Sequence, residues 1–317
     1  MINGKNTVVI ALGGNAILQA NDRGTLKEQY SNLKETVQHI MPFLMREDVN
    51  VVVTHGNGPQ VGNALLRSEI SKDIIPPHTL DVCGAETQGS IGYMITQTIQ
   101  EEFYRINIPR VVVSVVTRTL VNTDDPAFQN PTKYIGPFYS ENEAKKLVEE
   151  KGWIVKEDSG RGFRRVVPSP MPQEIIEYRA IYDLVNHGHL VVSTGGGGIP
   201  VVKRDQRLEG IEAVIDKDLA SAVLATELKA RQFIILTGVS RVSINFGKPD
   251  EIKLTSLTLE EAQKHLSDGQ FPPGSMGPKI ASAIKYLEAT DGDVLITSSE
   301  ALFPALKGED GTWISRG

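Results

Sequence analysis

Residues 8–15 of the chain read VVIALGGN, a run of apolar residues, Val8–Leu12, that ends in two glycines. The pattern returns at Val49–Thr54, which runs into the turn His55-Gly56-Asn57-Gly58. Consecutive apolar residues rich in valine and isoleucine are typical of strands buried on both faces of a parallel sheet. These two stretches therefore predict an α/β fold.

Four further runs of this kind are predicted as strands: Arg110–Val116, Leu190–Thr194, Phe233–Thr237 and Val294–Thr297. Between the runs, helical patterns predict helices at Leu26–Met45, Gln60–Lys72, Glu86–Arg105, Ser140–Lys151, Pro172–His187, Lys217–Lys229, Leu259–Ser267 and Pro278–Ala289. Alternation of strands and helices over nearly the whole length indicates a doubly wound α/β architecture.

The alternation is interrupted between Thr123 and Pro170. This stretch holds five prolines, many charged residues and one short helical pattern. Such a segment does not fit the alternation of the sheet, and long insertions of this kind are often functional lids. We therefore predict a single domain over residues 1–317, with residues 123–170 inserted in it as a protruding, lid-like subdomain.

Composition limits the function classes. The 317 residues include 33 Lys and Arg against 39 Asp and Glu, a net charge of −6, which argues against general nucleic-acid binding. Cys83 is the only cysteine, so an intramolecular disulfide is excluded and a reducing compartment is indicated. We see neither a signal-peptide pattern nor an apolar run long enough to span a bilayer. A cytoplasmic protein without a membrane partner is expected.

Glycine-rich turns follow the predicted strands or open a helix at four places: Gly13-Gly14-Asn15, Gly56-Asn57-Gly58, Gly195–Gly198 and Gly274–Lys279. Without a Cβ, backbone N–H groups can approach an anion, and a helix N-terminus adds partial positive charge. Any one such turn is ordinarily only a tight turn. Four that converge at the carboxyl ends of parallel strands predict a phosphate-binding site.

Three lysines could supply the charge that a transferring phosphoryl group requires. Lys217 stands between two aspartates, Asp216 and Asp218, Lys279 lies in the first turn of a predicted helix, and Lys133 lies in the insertion. Each alone would ordinarily be a solvated surface lysine. The phosphate-loop motif is absent and the spacing of Gly56, Gly58 and Gly62 does not match the dinucleotide fingerprint, so a nicotinamide dehydrogenase loses support.

Eight stretches together resemble the carbamate kinase family of the amino acid kinase superfamily: 11–16, 54–62, 87–93, 125–136, 156–170, 195–200, 213–219 and 274–279. The resemblance implies a three-layer α/β/α sandwich with a largely parallel central sheet and the protruding subdomain. It also implies a homodimer, reversible phosphoryl transfer between ATP and carbamate with Mg²⁺, and a place in arginine metabolism. Such enzymes commonly make ATP from ADP and carbamoyl phosphate.

Carried over by position, the resemblance assigns carbamate and the transferring phosphate to Gly13, Gly14, Asn15, Gly56, Asn57 and Gly58. It makes Lys133, Lys217 and Lys279 the catalytic cations, with Asp218 orienting Lys217. It assigns the nucleotide to Asp216, Thr237, Gly238, Phe246, Gly274, Ser275 and Met276. No metal ligand comes directly from the protein. Phe246 stands where a tyrosine is expected, so that a hydroxyl hydrogen bond is lost and stacking is retained.

Two positions depart from the family pattern. Arg118 follows Thr117 where a glutamine is usual, and Glu86 stands where methionine or serine is usual. If both side chains point into the pocket, an Arg118–Glu86 pair would alter the choice of substrate. A kinase of another small carboxylic acid and a non-catalytic nucleotide-binding relative remain the alternatives.

Overall fold

The computed structural model of the protein describes residues 2–19, 22–158 and 160–317. Over those residues the strands, β1 to β17, are Asn6–Leu12, Val49–His55, Val112–Ser114, Arg118–Val121, Lys133–Tyr139, Val155–Glu157, Phe163–Val167, Pro172–Ile175, Leu190–Val192, Ile199–Arg204, Arg207–Gly210, Gln232–Leu236, Val242–Ile244, Ile252–Leu254, Ser256–Thr258, Asp293–Thr297 and Thr312–Ser315. The helices, α1 to α9, are Leu26–Leu44, Gly58–Ser71, Leu80–Arg105, Glu141–Lys151, Tyr178–Asn186, Lys217–Glu227, Leu259–Ser267, Met276–Ala289 and Leu302–Leu306.

The central sheet, built from described residues, has eight strands in the order β15-β17-β16-β12-β1-β2-β9-β3. Neighbouring strands are parallel except for the antiparallel pair of β16 and β17. Parallel pairing brings the carboxyl ends of β1, β2, β12 and β16 to one edge of the sheet. The turns that follow these strands therefore lie together, which is what positions the site.

Helices cover both faces of this sheet. On one face α1, α3 and α9 pack against side chains that include Val8, Ile10 and Leu12 of β1. On the other face α5, α6, α7 and α8 pack against side chains that include Val9 and Ala11 of the same strand. Alternate residues of a strand point to opposite faces, so a strand buried on both sides must be apolar throughout. The predicted three-layer α/β/α sandwich is confirmed.

The segment 123–170 has a sheet of its own. Strands β5, β7 and β6 pair antiparallel in that order, and α4 lies beside them. The sequence predicted the helix but none of these strands. All three are partly exposed, β6 and β7 are short, and β5 is interrupted by Gly136 and Pro137. They therefore lack the continuous apolar run that identifies a buried strand.

The predicted helix Pro172–His187 is wrong in its first half. Pro172–Ile175 forms β8, at the edge of a second, four-stranded sheet ordered β11-β10-β4-β8, and α5 begins only at Tyr178. Proline has no N–H to donate, and the first residue of an edge strand is a position where that loss is tolerated. The apolar residues that suggested one long helix therefore belong to two elements.

Other predicted boundaries also move. Helix α3 begins at Leu80 rather than Glu86, with Thr79 at its N-cap position, and the predicted strand Arg110–Val116 shortens to β3. Helix ends are the least certain part of a sequence-based assignment. Among the described residues, none of the helices has the length and apolar character needed to cross a membrane.

Candidate active site

Three helices begin at one cavity of about 310 Å³ beyond the carboxyl ends of the strands. The N-cap residues are Asn57 for α2, Asp216 for α6 and Ser275 for α8, and all three line the cavity. Unpaired N–H groups in a first helical turn carry partial positive charge. Three such helix ends directed at one space form an environment suited to a multiply charged anion.

Two ammonium groups meet at one carboxylate in this cavity. The Nζ atoms of Lys217 and Lys279 each donate to Asp218, the second over 3.1 Å to Oδ2. The side chain of Asp218 is 3% exposed and those of both lysines are 14% exposed. The sequence placed Lys217 beside Asp218, whereas Lys279 arrives from a helix 61 residues further along the chain. The two cations are therefore fixed by a shared, buried partner.

The protonation of this group follows from burial and charge. Burial alone would raise the pKa of Asp218, but the attraction of Lys217 and Lys279 outweighs it and lowers that pKa to about 2. Burial lowers the pKa of Lys217, and Asp218 opposes that shift while Lys279 adds to it. The pKa of Asp218 therefore falls because two cations face it, whereas the pKa of Lys217 falls mainly because the ammonium group is buried. Asp218 is consequently ionised throughout the neutral range.

The third lysine reaches the same cavity from the insertion. Lys133, at the start of β5, donates from Nζ to Oδ2 of Asp216 over 2.9 Å. The other oxygen of Asp216 accepts the backbone N–H of Asp218 over 2.9 Å, as the N-cap of α6. Asp216 thus connects the insertion to the helix that carries Lys217. The three ammonium groups predicted from the sequence line one cavity rather than separate faces of the molecule.

Some glycines around the cavity leave space for a ligand, and others leave space for neighbouring protein atoms. A Cβ on Gly14 or Gly58 would meet no atom within 4 Å, and both residues line the cavity, so their backbones are open to a ligand. At Gly13 a Cβ would lie 2.6 Å from the carbonyl oxygen of Leu236, and at Gly56 3.2 Å from Cδ of Lys217. The last two therefore serve packing, and Gly56 leaves space for the stem of Lys217.

The glycines of the turn Gly195–Gly198 allow close packing against neighbouring side chains. A Cβ at Gly196 would overlap the amide of Asn57, and one at Gly195 would overlap the ring of His55. The Nδ2 of Asn57 also donates to the hydroxyl of Thr87 over 2.8 Å. This turn therefore fixes the orientation of Asn57, and only Gly196 of its four glycines lines the cavity.

Comparisons by sequence cover nearly the whole chain. A family model described as the amino acid kinase family matches residues 6–298. The carbamate kinase of Thermococcus kodakarensis is 49% identical over 311 residues, which span 98% of this chain and 99% of that protein. The carbamate kinase of Pyrococcus furiosus is 46% identical, with 97% and 98% covered. The chain belongs to the carbamate kinases of the amino acid kinase family.

Solved structures agree with this membership. The carbamate kinase of Giardia lamblia bound to AMP-PNP superposes with a TM-score of 0.93 at 44% identity, covering 99% of each chain. An N-acetylglutamate synthase from Neisseria gonorrhoeae reaches a TM-score of only 0.59 at 14% identity, and it covers 98% of this chain and 60% of its own. That second likeness shows the shared fold and nothing more.

A second cavity, of about 660 Å³, adjoins the first in this member of the family. The predicted residues that line it are Gly13, Gly14, Asn15, Thr237, Gly238, Gly274, Ser275 and Lys279, of which Gly14, Gly274, Ser275 and Lys279 also line the first cavity. A Cβ on Gly238 would lie 2.6 Å from Nδ2 of Asn15, so this glycine lets the asparagine reach the wall. The two cavities therefore share part of their walls.

Sequence reasoning missed part of the larger cavity. Gln19, Asn32, Glu35, Thr36, Ser299 and Glu300 line it as well. Gln19 lies in the connection between β1 and α1, the next three lie on α1, and the last two lie in the turn after β16. Asn32 and Thr36 lie one turn apart on α1. The sequence did not indicate them as site residues, because polar residues are expected on an amphipathic helix. The end of β16 is the one signal that could have pointed to Ser299 and Glu300.

Two residues assigned to the nucleotide lie outside both cavities. Met276, the first residue of α8, packs against the core, and Phe246 is 64% exposed. Neither is among the described residues that line the two spaces. Their contact with a nucleotide stays a prediction. No three or more His, Cys, Asp or Glu side chains in the described part of the chain are grouped so as to hold a metal ion.

The suggested Arg118–Glu86 pair is wrong. Arg118 binds Glu177, with 2.7 Å between Nε and Oε1, and Glu86 binds His78, with 2.7 Å between Oε1 and Nδ1. Neither Arg118 nor Glu86 is among the described residues that line the two cavities. Glu177 lies in the short connection between β8 and α5, the region where the sequence predicted one continuous helix, so the partner could not be seen.

Proposed function

We propose that the protein catalyses reversible phosphoryl transfer between ATP and carbamate, running towards ATP from ADP and carbamoyl phosphate. The observation that supports this most strongly is the gathering of Lys133, Lys217 and Lys279 with three helix N-termini around one cavity. The transition state of phosphoryl transfer spreads negative charge over several oxygens, so preorganised cations favour it over the ground state. Membership of the carbamate kinases supplies the acceptor.

The chemical step needs no general base, since the carbamate oxygen is already anionic when it attacks the γ-phosphorus in line. Catalysis then rests on positioning and on charge stabilisation. Lys217 and Lys279 neutralise the transferring group. Asp218 orients both of them, because their Nζ atoms share its two oxygens.

The carbamate and the transferring phosphate occupy the smaller cavity. The backbones of Gly14 and Gly58 face open space there, so their peptide groups can approach the ligand. Asn57, fixed by Thr87 and Gly196, contributes a side-chain amide. Gly13, Asn15 and Gly56 complete the substrate set by shaping the turns around it.

The nucleotide occupies the larger cavity, with Thr237, Gly238, Gly274 and Ser275 along its phosphates. Phe246 and Met276 complete the nucleotide set at the adenosine end. Magnesium prefers oxygen ligands and keeps several waters, and the Asp216 carboxylate on the cavity wall fits such an ion. Bound with the nucleotide, Mg²⁺ would neutralise phosphate charge.

The insertion 123–170 acts as a lid over this site. Its Lys133 is paired with Asp216 and is 38% exposed, so it can exchange that carboxylate for a substrate phosphate. A lid that carries a cation adds charge and excludes water at the moment of reaction. Residues 1–317 form a single domain, and residues 123–170 are the lid inserted in it.

We also propose a homodimer, a cytoplasmic location and a role in arginine metabolism. The family resemblance supports all three. For the dimer, helix α3 adds an exposed surface on which Tyr93 is 59% and Tyr104 73% exposed. Sedimentation of the purified protein, with Tyr93→Glu as the disrupting variant, tests the dimer.

One coupled assay tests the activity. ATP formation is followed from ADP, Mg²⁺ and either carbamoyl phosphate or acetyl phosphate, with Lys217→Ala as the matched inactive variant. We expect ATP from carbamoyl phosphate and little from acetyl phosphate. A preference for acetyl phosphate would make the protein a kinase of another small acid. ADP binding without turnover of either donor would make it a non-catalytic relative.

A further inference from the structure

The insertion and helix α2 touch at two glycines. A Cβ on Gly62 would lie 2.6 Å from the backbone nitrogen and 2.7 Å from Cα of Gly136, so the two backbones are in contact. Gly136 has a φ of +73°, which L-residues rarely adopt, and a Cβ there would meet no atom within 4 Å. Space therefore requires glycine at position 62, whereas backbone conformation requires it at position 136.

The Gly136 peptide is also held from the side of the insertion. Its carbonyl oxygen accepts a hydrogen bond from Nε of Arg164 over 3.1 Å, and Arg164 is paired with Asp158 over 2.9 Å. Next to it, Ile135 is 1% exposed and packs in a cluster with Val61 on α2. The start of β5 is thus fixed between α2 and its own sheet.

Helix α2 carries two functional parts of the site. Asn57 and Gly58 at its first turn line the smaller cavity, and Gly62 lies one turn further along the same helix. Lys133 lies on β5, three residues before Gly136. The distance between α2 and β5 therefore determines how far the Lys133 ammonium group lies from the substrate turn, by which we mean Gly56-Asn57-Gly58.

We infer that Gly62 is a positioning residue, whose missing side chain seats the insertion against α2 and thereby sets Lys133 over the substrate turn. A second contact acts in the same sense, since Glu69 of α2 is paired with Lys151 at the end of α4. The choice of substrate in the test rests on the proposed function, whereas the seating itself does not.

Gly62→Ala tests the inference. The new methyl group must displace β5, and a small misplacement of a charged group lowers its contribution steeply, so KM for carbamoyl phosphate should rise about tenfold while the affinity for ADP stays unchanged. Gly62→Val should raise that KM further. Alanine is a better helix former than glycine by about 1 kcal/mol, which offsets part of the cost of displacing β5.

Two companion variants separate seating from a general structural effect. Gly84→Ala places the same methyl group in α3, where a Cβ meets no atom within 4 Å, and should change neither kinetic constant. Glu69→Gln removes the second contact without a clash and should raise KM in the same direction by a smaller factor. Equal KM values in Gly62→Ala and Gly84→Ala would overturn the inference.

A measurement that needs no substrate tests the contact between the insertion and α2 separately from the activity. Trp153 lines the groove between α2 and the insertion together with Gly62, and Trp313 is the other tryptophan of the chain. In a Trp313→Phe background, Gly62→Ala should increase quenching of Trp153 fluorescence by acrylamide, and Gly84→Ala should not. Unchanged quenching would overturn the inference even if the protein proved inactive on carbamoyl phosphate. A rise in quenching in such an inactive protein would leave the seating supported and refute only the proposed substrate.

Discussion

The two places where cations face the smaller cavity are built differently. Lys217 and Lys279 are 14% exposed and share the buried carboxylate of Asp218, which is 3% exposed. Lys133 is 38% exposed and is paired with Asp216, which is 15% exposed and belongs to another part of the chain. A buried carboxylate fixes its lysines in advance, whereas an exposed pair can open. The first place is suited to stabilising the transition state and the second to admitting the substrate.

The strongest test of this difference removes the buried cations. Lys217→Ala or Lys279→Ala should each cost about 2–4 kcal/mol of transition-state stabilisation, a fall in kcat of roughly 30-fold to 1,000-fold, because a preorganised donor is lost. Steady-state kinetics with ADP and carbamoyl phosphate measures it. Lys253→Ala, at an exposed lysine of β14, is the matched control and should leave kcat unchanged. Near-wild-type turnover in either buried-lysine variant would contradict the comparison.

Removing the shared charge should have the next largest effect. Asp218→Asn leaves two ammonium groups without their carboxylate, and kcat should fall about 100-fold as their positions are lost. The pKa of Lys217, already lowered by burial, should fall further, so the alkaline limb of the pH–rate profile should move to lower pH. An alkaline limb at its original pH would show that Asp218 does not hold Lys217 protonated.

The buried side of the site should also carry a pH-dependent stability. Burial lowers the pKa of His55 to about 4, the hydrogen bond to the Gly56 carbonyl opposes that shift, and Lys217 adds to it. The unfolded state therefore binds more protons than the native state between about pH 4 and pH 6.5, and stability is lost as pH falls through 6.5. From this one group we expect a loss of about 2 kcal/mol between pH 7 and pH 5.

Glu227 acts in the opposite direction, because burial raises its pKa to about 7 and its desolvated charge is relieved as pH falls. The measurement must therefore be a difference. Urea unfolding of the natural protein and of His55→Asn at both pH values isolates the histidine, since the asparagine Nδ2 can replace Nδ1 as the donor to Gly56. An equal pH dependence in the two proteins would contradict the prediction.

The smallest effect is expected at the exposed pair. Lys133→Ala should raise KM for carbamoyl phosphate about tenfold, equal to 1.4 kcal/mol, and change kcat much less, because the lid lysine contributes to capture more than to the transition state. Lys146→Ala, at an exposed lysine of α4 in the insertion, is the control. A kcat loss in Lys133→Ala as large as in Lys217→Ala would make the two places equivalent and remove the distinction between them.

Much of the fold was accessible from the sequence. The apolar runs at Val8–Leu12 and Val49–Thr54 are strands, the helices between the runs exist, and the glycine turns lie at the strand ends. These features follow from local periodicity and from the way parallel strands align their carboxyl ends. The other described strands, β4 to β8, β10, β11, β13 to β15 and β17, were not predicted, because most of them are short and partly exposed and so lack a continuous apolar run.

The sequence by itself determined that Lys217 stands between two aspartates and that glycine turns end the buried strands. Only the tertiary structure decided that Lys279 joins Asp218 across 61 residues, that Lys133 meets Asp216 across 83, and that Arg118 binds Glu177 instead of Glu86. Neighbours along a chain are fixed by covalent geometry. Partners that are distant in sequence meet only after the layers have packed, so no local pattern specifies which charged groups will share a cavity.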